Sequence, residues 1–140
     1  MLIEKSNVDN SEEIKAFLKR IPGLNEIDDE IFDRILILKN EFEIKAIISY
    51  ECFTDKGLIR CFIFQKDVEF DDLNMLMNEM IKNAKKENIG MIITIIEEDE
   101  LKYFFEKLGF KECLIDNIYI REMPLISILG NSAIGMIKEI

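Results

Sequence analysis

The spacing of apolar residues in the first third of the chain predicts a short strand followed by two helices. Residues 1–5 fit the strand, and the helix that begins at Ser11 carries one apolar face until Pro22-Gly23 stops it. A second, shorter helix begins at Asp28-Asp29. Apolar, β-branched stretches then predict three strands, at residues 35–38, 44–53 and 58–65.

A hairpin turn and a long helix are predicted next. Thr54-Asp55-Lys56-Gly57 joins two of the strands, and we expect Gly57 to supply the positive φ of the turn. The helix is capped by Asp71 and Asp72, carries an apolar stripe as far as Ala84 and ends at 88–90. This helix lies between two strand patterns, so it predicts a crossover and a partly parallel sheet.

The segment after the long helix predicts a buried strand and another helix. Met91–Ile96 is apolar apart from Thr94, which is typical of a strand covered on both faces. A helix over 97–108 is closed by Gly109, and one or two final strands lie within 111–123, around Asp116-Asn117. The pattern as a whole predicts an α/β fold with a mixed sheet.

Composition narrows the possible partners. The chain has 140 residues, the size of a single domain, and a formal net charge of -10. That charge argues against nucleic acid and against anionic membrane surfaces as partners. It suits a cationic small-molecule or peptide amine, although solubility alone explains it equally. No apolar run reaches membrane-spanning length, so we expect a cytoplasmic protein.

Two common kinds of site are not indicated. There is no histidine, which removes the commonest general base and the commonest zinc ligand. The three cysteines, Cys52, Cys61 and Cys113, show no C-x-x-C pairing. We therefore predict free thiols and no metal site.

One segment carries a family resemblance. Residues 105–112, F-E-K-L-G-F-K-E, resemble the Y-E-K-L-G-F-K stretch of the GNAT superfamily of acetyltransferases, and Met123-Pro124-Leu125 resembles the end of the last strand in many members. The match extends from about Ile35 to Leu125. The resemblance implies a largely antiparallel mixed sheet with helices on both faces, in one domain over 1–140. It also implies acetyl-CoA as cofactor and acyl transfer to an unknown amine.

The same alignment shows that the pyrophosphate loop of the family has diverged. Its Q/R-x-x-G-x-G/A motif falls on Val68–Leu73, with Val68 at the arginine position and Asp71 and Leu73 at the glycine positions. Glycines let backbone N–H groups approach a pyrophosphate at the start of a helix. Here Asp71 and Asp72 bring carboxylates to the start of the helix, so we expect them to cap the helix and to displace the phosphate.

The resemblance also implies positions for cofactor contacts and catalysis. The backbone of Phe62, Ile63 and Phe64 corresponds to the strand that binds the pantetheine arm, beside a cleft formed where that strand splays from 91–96. Leu73 and Asn74 are assigned to the cofactor at the start of the long helix. Phe105 occupies the position of the tyrosine acid and Glu98 that of an asparagine, so no catalytic residue is assigned.

Two alternatives remain open at this stage. The chain is either an acetyl-CoA-dependent N-acyltransferase with a divergent loop or a catalytically inactive GNAT-fold binding or regulatory module. Glu51 and Glu97 could act as bases toward an amine, or they could be solvated carboxylates. The apolar extension at 125–140 either covers the chain's own sheet or forms a homodimer contact.

Overall fold

Up to residue 113 the helices and strands follow the predicted order, whereas the strand at Ile134–Glu139 was not predicted. The computed structural model describes residues 1–21, 27–114, 119–120, 123–124 and 133–140. The helices are α1 (Ser11–Lys19), α2 (Asp29–Asp33), α3 (Phe70–Lys86) and α4 (Asp99–Lys107). The strands are β1 (Leu2–Lys5), β2 (Leu36–Lys39), β3 (Ile44–Phe53), β4 (Lys56–Phe64), β5 (Met91–Ile96), β6 (Lys111–Cys113), β7 (Tyr119–Ile120), β8 (Met123–Pro124) and β9 (Ile134–Glu139).

Seven of the strands form one mixed sheet with the order β1-β2-β3-β4-β5-β9-β6. β4 and β5 run parallel, as expected for strands joined through a helix, whereas β1–β2, β2–β3, β5–β9 and β6–β9 are antiparallel. β7 and β8 form a separate two-stranded hairpin. The prediction of a mixed, largely antiparallel α/β fold is confirmed.

By their internal contacts the residues divide into two compact units. Unit 1 comprises residues 1–51 and 60–80, and unit 2 comprises residues 52–59 and 81–140. The core of unit 1 forms where the apolar face of α1 packs on β2 and β3. Its buried members are Ile14, Phe17, Leu18, Ile35, Ile37, Ile44 and Ile47. That the chain is one domain stays a prediction.

Unit 2 is organised around β5. Ile92 and Ile93 are fully buried and Thr94 is 4% exposed, which agrees with a strand covered on both faces. β9 lies between β5 and β6 and pairs with both strands. Its register with β5 runs from Met91 opposite Glu139 to Ile96 opposite Ile134. This end of the apolar tail therefore belongs to the chain's own sheet. Residues 125–132 lie outside the described part.

Three turn residues show where the backbone prediction succeeded and where it failed. Gly109 has φ 95, as predicted for a helix C-terminal cap. Gly57 was wrongly assigned: it lies within β4, and the left-handed residue of the turn is Thr54, with φ 58. Asn88, with φ 64, follows the end of α3 at Lys86. The N–H of Ile89 then donates to the carbonyl of Ala84. Pro22-Gly23 and Asp116-Asn117 are not among the described residues.

Gly109→Ala should destabilise the protein by about 1–2 kcal/mol, because an alanine strains the left-handed backbone. Its Cβ would also lie 3.0 Å from the Lys138 Nζ, which donates to the Leu108 carbonyl at 2.9 Å. Urea unfolding measures the loss. Gly90→Ala is the matched control, since its Cβ would meet nothing within 4 Å. Equal effects of the two substitutions would contradict the account.

Candidate functional site

The end of β4 holds the residues predicted to contact the pantetheine arm. Phe62, Ile63 and Phe64 are all half-buried, and the rings of Phe62 and Phe64 lie 5.3 Å apart between centroids. Cys61, immediately before them, has φ 56, so the strand is distorted at this point. The parallel pairing with β5 covers only Lys56–Leu58. Cofactor contact by this stretch stays a prediction.

A buried lysine lies beside this stretch, in unit 1. Lys45 is on β3 and only 5% exposed. Its ammonium donates to the Gln65 Oε1 at 2.9 Å and to the Asp67 carboxylate at 2.8 Å. The hydrogen bond to Asp67 raises the pKa of Lys45 and lowers that of Asp67. An ammonium group this little exposed needs such partners, because they replace the hydrogen bonds to water that burial removes.

The loop between β4 and α3 is held by these contacts and by short backbone hydrogen bonds. The Gln65 N–H donates to the Lys45 carbonyl at 3.0 Å, and the Val68 N–H returns to the Gln65 carbonyl at 3.2 Å. Val68, the counterpart of the family arginine, is 9% exposed. The loop therefore carries an apolar anchor, Val68, and the exposed Asp67 that pairs with the buried Lys45, where the family resemblance predicts a glycine-rich turn.

α3 begins at Phe70, so Asp71 and Asp72 lie within its first turn, and the prediction that they cap the helix is wrong. Acidic groups stabilise a helix in that position. The N–H groups of Asp72 and Leu73 both donate to the Glu69 carbonyl, at 3.1 and 3.2 Å. Leu73 is 2% exposed and Asn74 is half-buried. The side chain of Leu73 therefore belongs to the core, and its N–H is already used within the helix.

A pocket of about 400 Å³ opens in unit 1 at the end of α1 and β4. Its apolar walls come from Phe17, Ile21, Ile63 and Phe64. Its polar groups come from Arg20, Glu43 and Gln65. The volume is in the range of small-ligand sites, and the lining has the apolar majority and few polar groups that such sites show.

Phe105, the α4 residue at the tyrosine position of the family, packs in the core. Phe105 is 5% exposed and packs edge-on against Phe110, with centroids 5.3 Å apart. A phenylalanine there keeps the packing but cannot donate a proton. Tyr103 is 69% exposed, which agrees with a surface tyrosine rather than a replacement acid.

The two carboxylates considered as bases differ in their surroundings. Glu51 lies 4.0 Å from the exposed Arg60 guanidinium, and Glu97 is exposed in the turn before α4. Neither carboxylate is fully buried, and burial is one of the features that mark a general base. Catalysis by either one stays a prediction.

Comparison with known proteins identifies the fold. No protein-family model matches the sequence, and no curated protein matches it. N-acetylglutamate synthase from Neisseria gonorrhoeae, complexed with coenzyme A and N-acetyl-glutamate, superposes with a TM-score of 0.75 at 15% identity. The match covers 99% of this chain, which spans about one third of the synthase (34%). Rv2747 from Mycobacterium tuberculosis, in complex with CoA and NLQ, gives 0.73 at 13% identity over 100% of this chain and 99% of that protein.

A GNAT-family acetyltransferase from Staphylococcus aureus gives a TM-score of 0.71 at 16% identity, with 99% and 98% of the two chains covered. This chain has the GNAT fold. The parallel β4–β5 pair agrees with the crossover that the long helix predicted. At 13–16% identity these likenesses show the fold and not the activity.

The start of α3 in this GNAT fold does not suit a pyrophosphate. Asp71 and Asp72 bring negative charge there, and the N–H groups of Asp72 and Leu73 both donate to the Glu69 carbonyl. The half-buried end of β4 lies at the position that the resemblance assigns to the pantetheine arm.

The described residues provide neither a membrane-spanning helix nor a cluster of metal ligands. Across the described ranges, no helix is long and apolar enough to cross a bilayer. The same residues contain no group of three or more His, Cys, Asp or Glu arranged to hold a metal ion. The acidic residues at the start of α3 accordingly carry no metal assignment.

Lys45, Asp67, Arg20 and Glu43 belong to the site but were not found from the sequence. One signal was available: Lys45 is a charged residue inside the apolar run of β3, and such a lysine requires polar partners. Gln65 and Asp67 lie in the loop after β4, 20 and 22 positions away, so periodicity could not supply them.

The stability contributed by Asp67 should disappear in acid. Its pKa in the folded chain is below the usual 3.8 because Lys45 donates to it. The contribution is therefore complete above pH 3.8 and is lost as the pH falls through the folded value. Asp67→Asn should lower the melting temperature at pH 7, and the difference from the unsubstituted protein should shrink below pH 3.8.

Asp55→Asn is the control for this experiment, because Asp55 is as exposed as Asp67 (68% and 69%) but pairs at 3.2 Å with Lys56, which is 33% exposed, whereas Lys45 is 6% exposed. It should change the melting temperature little at either pH. A deficit of Asp67→Asn that is as large at pH 2.5 as at pH 7 would contradict the role of the ion pair.

Proposed function

We propose that this chain is a GNAT-type N-acyltransferase that transfers an acyl group from acetyl-CoA to a small amine. The observation that carries the proposal is the distorted, half-buried end of β4, which presents Phe62–Phe64 in a fold shared with coenzyme A complexes over 99–100% of this chain. A cytoplasmic location, expected from the sequence, would supply the cofactor.

In the proposed reaction, acetyl-CoA supplies the acetyl group as a thioester. The amine nitrogen forms the new C–N bond, the C–S bond breaks, the amine loses a proton and the thiolate gains one. In this chain the β4 backbone holds the pantetheine arm. No side chain is assigned as acid, so thiolate protonation falls to solvent.

An inactive binding or regulatory module is the second candidate, and a specific observation favours it. The first turn of α3 carries Asp71 and Asp72, and the preceding loop is closed by the Lys45–Asp67 ion pair. Both features oppose a pyrophosphate. The two candidates therefore differ in one measurable property, which is whether the chain binds acetyl-CoA.

Acetyl-CoA should raise the melting temperature, because a ligand at about 100 times its dissociation constant adds about 2.7 kcal/mol to the stability of the native state. Acetylpantetheine, which lacks the nucleotide and pyrophosphate, should bind within about tenfold of acetyl-CoA if the loop contributes little. Isothermal titration gives both affinities. The acyltransferase proposal fails if neither compound binds at millimolar concentration.

Asp71→Asn tests the acidic turn directly. It should tighten acetyl-CoA several-fold and leave acetylpantetheine unchanged, because only acetyl-CoA brings phosphate charge to the start of α3. Asp99→Asn is the matched control, an acidic first-turn residue of a different helix, α4. Equal effects of Asp71→Asn on both compounds would mean that the turn does not face the phosphate.

A further inference from the structure

The pocket in unit 1 combines one cation and one anion on an apolar wall. Arg20 is exposed, and its guanidinium lies 5.4 Å from the centroid of the Phe17 ring. Among the described residues it forms no ion pair. The face of Phe17 fixes the guanidinium plane by a cation–π contact, so the N–H donors at its edge remain for an anionic ligand group.

Glu43 supplies the opposite charge with spare acceptor capacity. Its side chain is 46% exposed. Its contacts are long: 3.7 Å to the Lys45 ammonium and 3.5 Å to the Gln65 amide nitrogen. Lys45 itself is satisfied at 2.8–2.9 Å by Asp67 and Gln65. A carboxylate with only long contacts can accept from a ligand ammonium.

We propose that this pocket binds a small zwitterion with an apolar side chain, of the α-amino-acid class. Arg20 binds the carboxylate, Glu43 binds the ammonium group, and the side chain lies on Phe17, Ile21 and Phe64. The volume of about 400 Å³ accommodates an aromatic amino acid. The assignment of this ligand as the amine acceptor rests on the proposed function, whereas its binding does not.

Three probes separate the two charges of the ligand. L-phenylalanine carries both, phenethylamine lacks the carboxylate and 3-phenylpropionate lacks the ammonium. Titrations followed by protein NMR, without any acyl donor, give the three dissociation constants. L-phenylalanine should bind at least tenfold more tightly than either of the others. Equal affinities, or no binding of L-phenylalanine at 10 mM or so, overturn the proposal.

Two substitutions assign the charges to side chains. Arg20→Gln should weaken L-phenylalanine about tenfold and leave phenethylamine unchanged. Glu43→Gln should weaken L-phenylalanine about tenfold and leave 3-phenylpropionate unchanged. Arg60→Gln and Glu41→Gln are the controls, because both residues are exposed and neither lines the pocket. Equal losses from these controls would overturn the proposal.

The two proposals can fail separately. Binding of L-phenylalanine without binding of acetyl-CoA keeps the pocket and rejects the acyltransferase. Binding of acetyl-CoA without L-phenylalanine rejects the pocket and keeps the acyltransferase. Folding of each variant is checked by its amide spectrum before titration, so a lost affinity reports on the pocket rather than on an unfolded chain.

Discussion

The need to neutralise one buried ammonium group organises the candidate site. Lys45 lies in an otherwise apolar strand, and its charge is too costly to bury without a carboxylate. Asp67 meets that need from the loop after β4, and Gln65 completes the set of acceptors. The loop is therefore held at Gln65 and Asp67, and Lys45, rather than glycine residues, sets its conformation.

The same requirement shapes the electrostatics around it. Because Asp67 is committed to Lys45, the two charges cancel locally, and the carboxylate of Glu43 is left with long contacts only. The acidic first turn of α3 follows directly in the chain and interacts favourably with the helix dipole. It places negative charge where the family resemblance implies a phosphate.

Much of the fold was accessible from the sequence because its elements have strong local signals. The apolar run of β5 and the glycine after α4 allow few alternatives, and Ile44–Phe53 was placed with its exact observed bounds. Thr54 was missed because a β-branched residue is a poor choice for a left-handed turn. The site was harder, since Lys45 and Asp67 meet through tertiary structure and neither lies in a motif.

The position of β9 has a consequence for how the chain assembles. β5 and β6 are neighbours in sequence order but not in the sheet, since residues 134–139 lie between them. Met91 must meet Glu139 across almost fifty residues, a contact of high loop-closure cost. During synthesis, the edges of β5 and β6 that pair with β9 would stay unpaired until residues 134–139 left the ribosome. Folding of unit 2 is thus tied to β9, which makes premature edge-to-edge association the hazard of this topology.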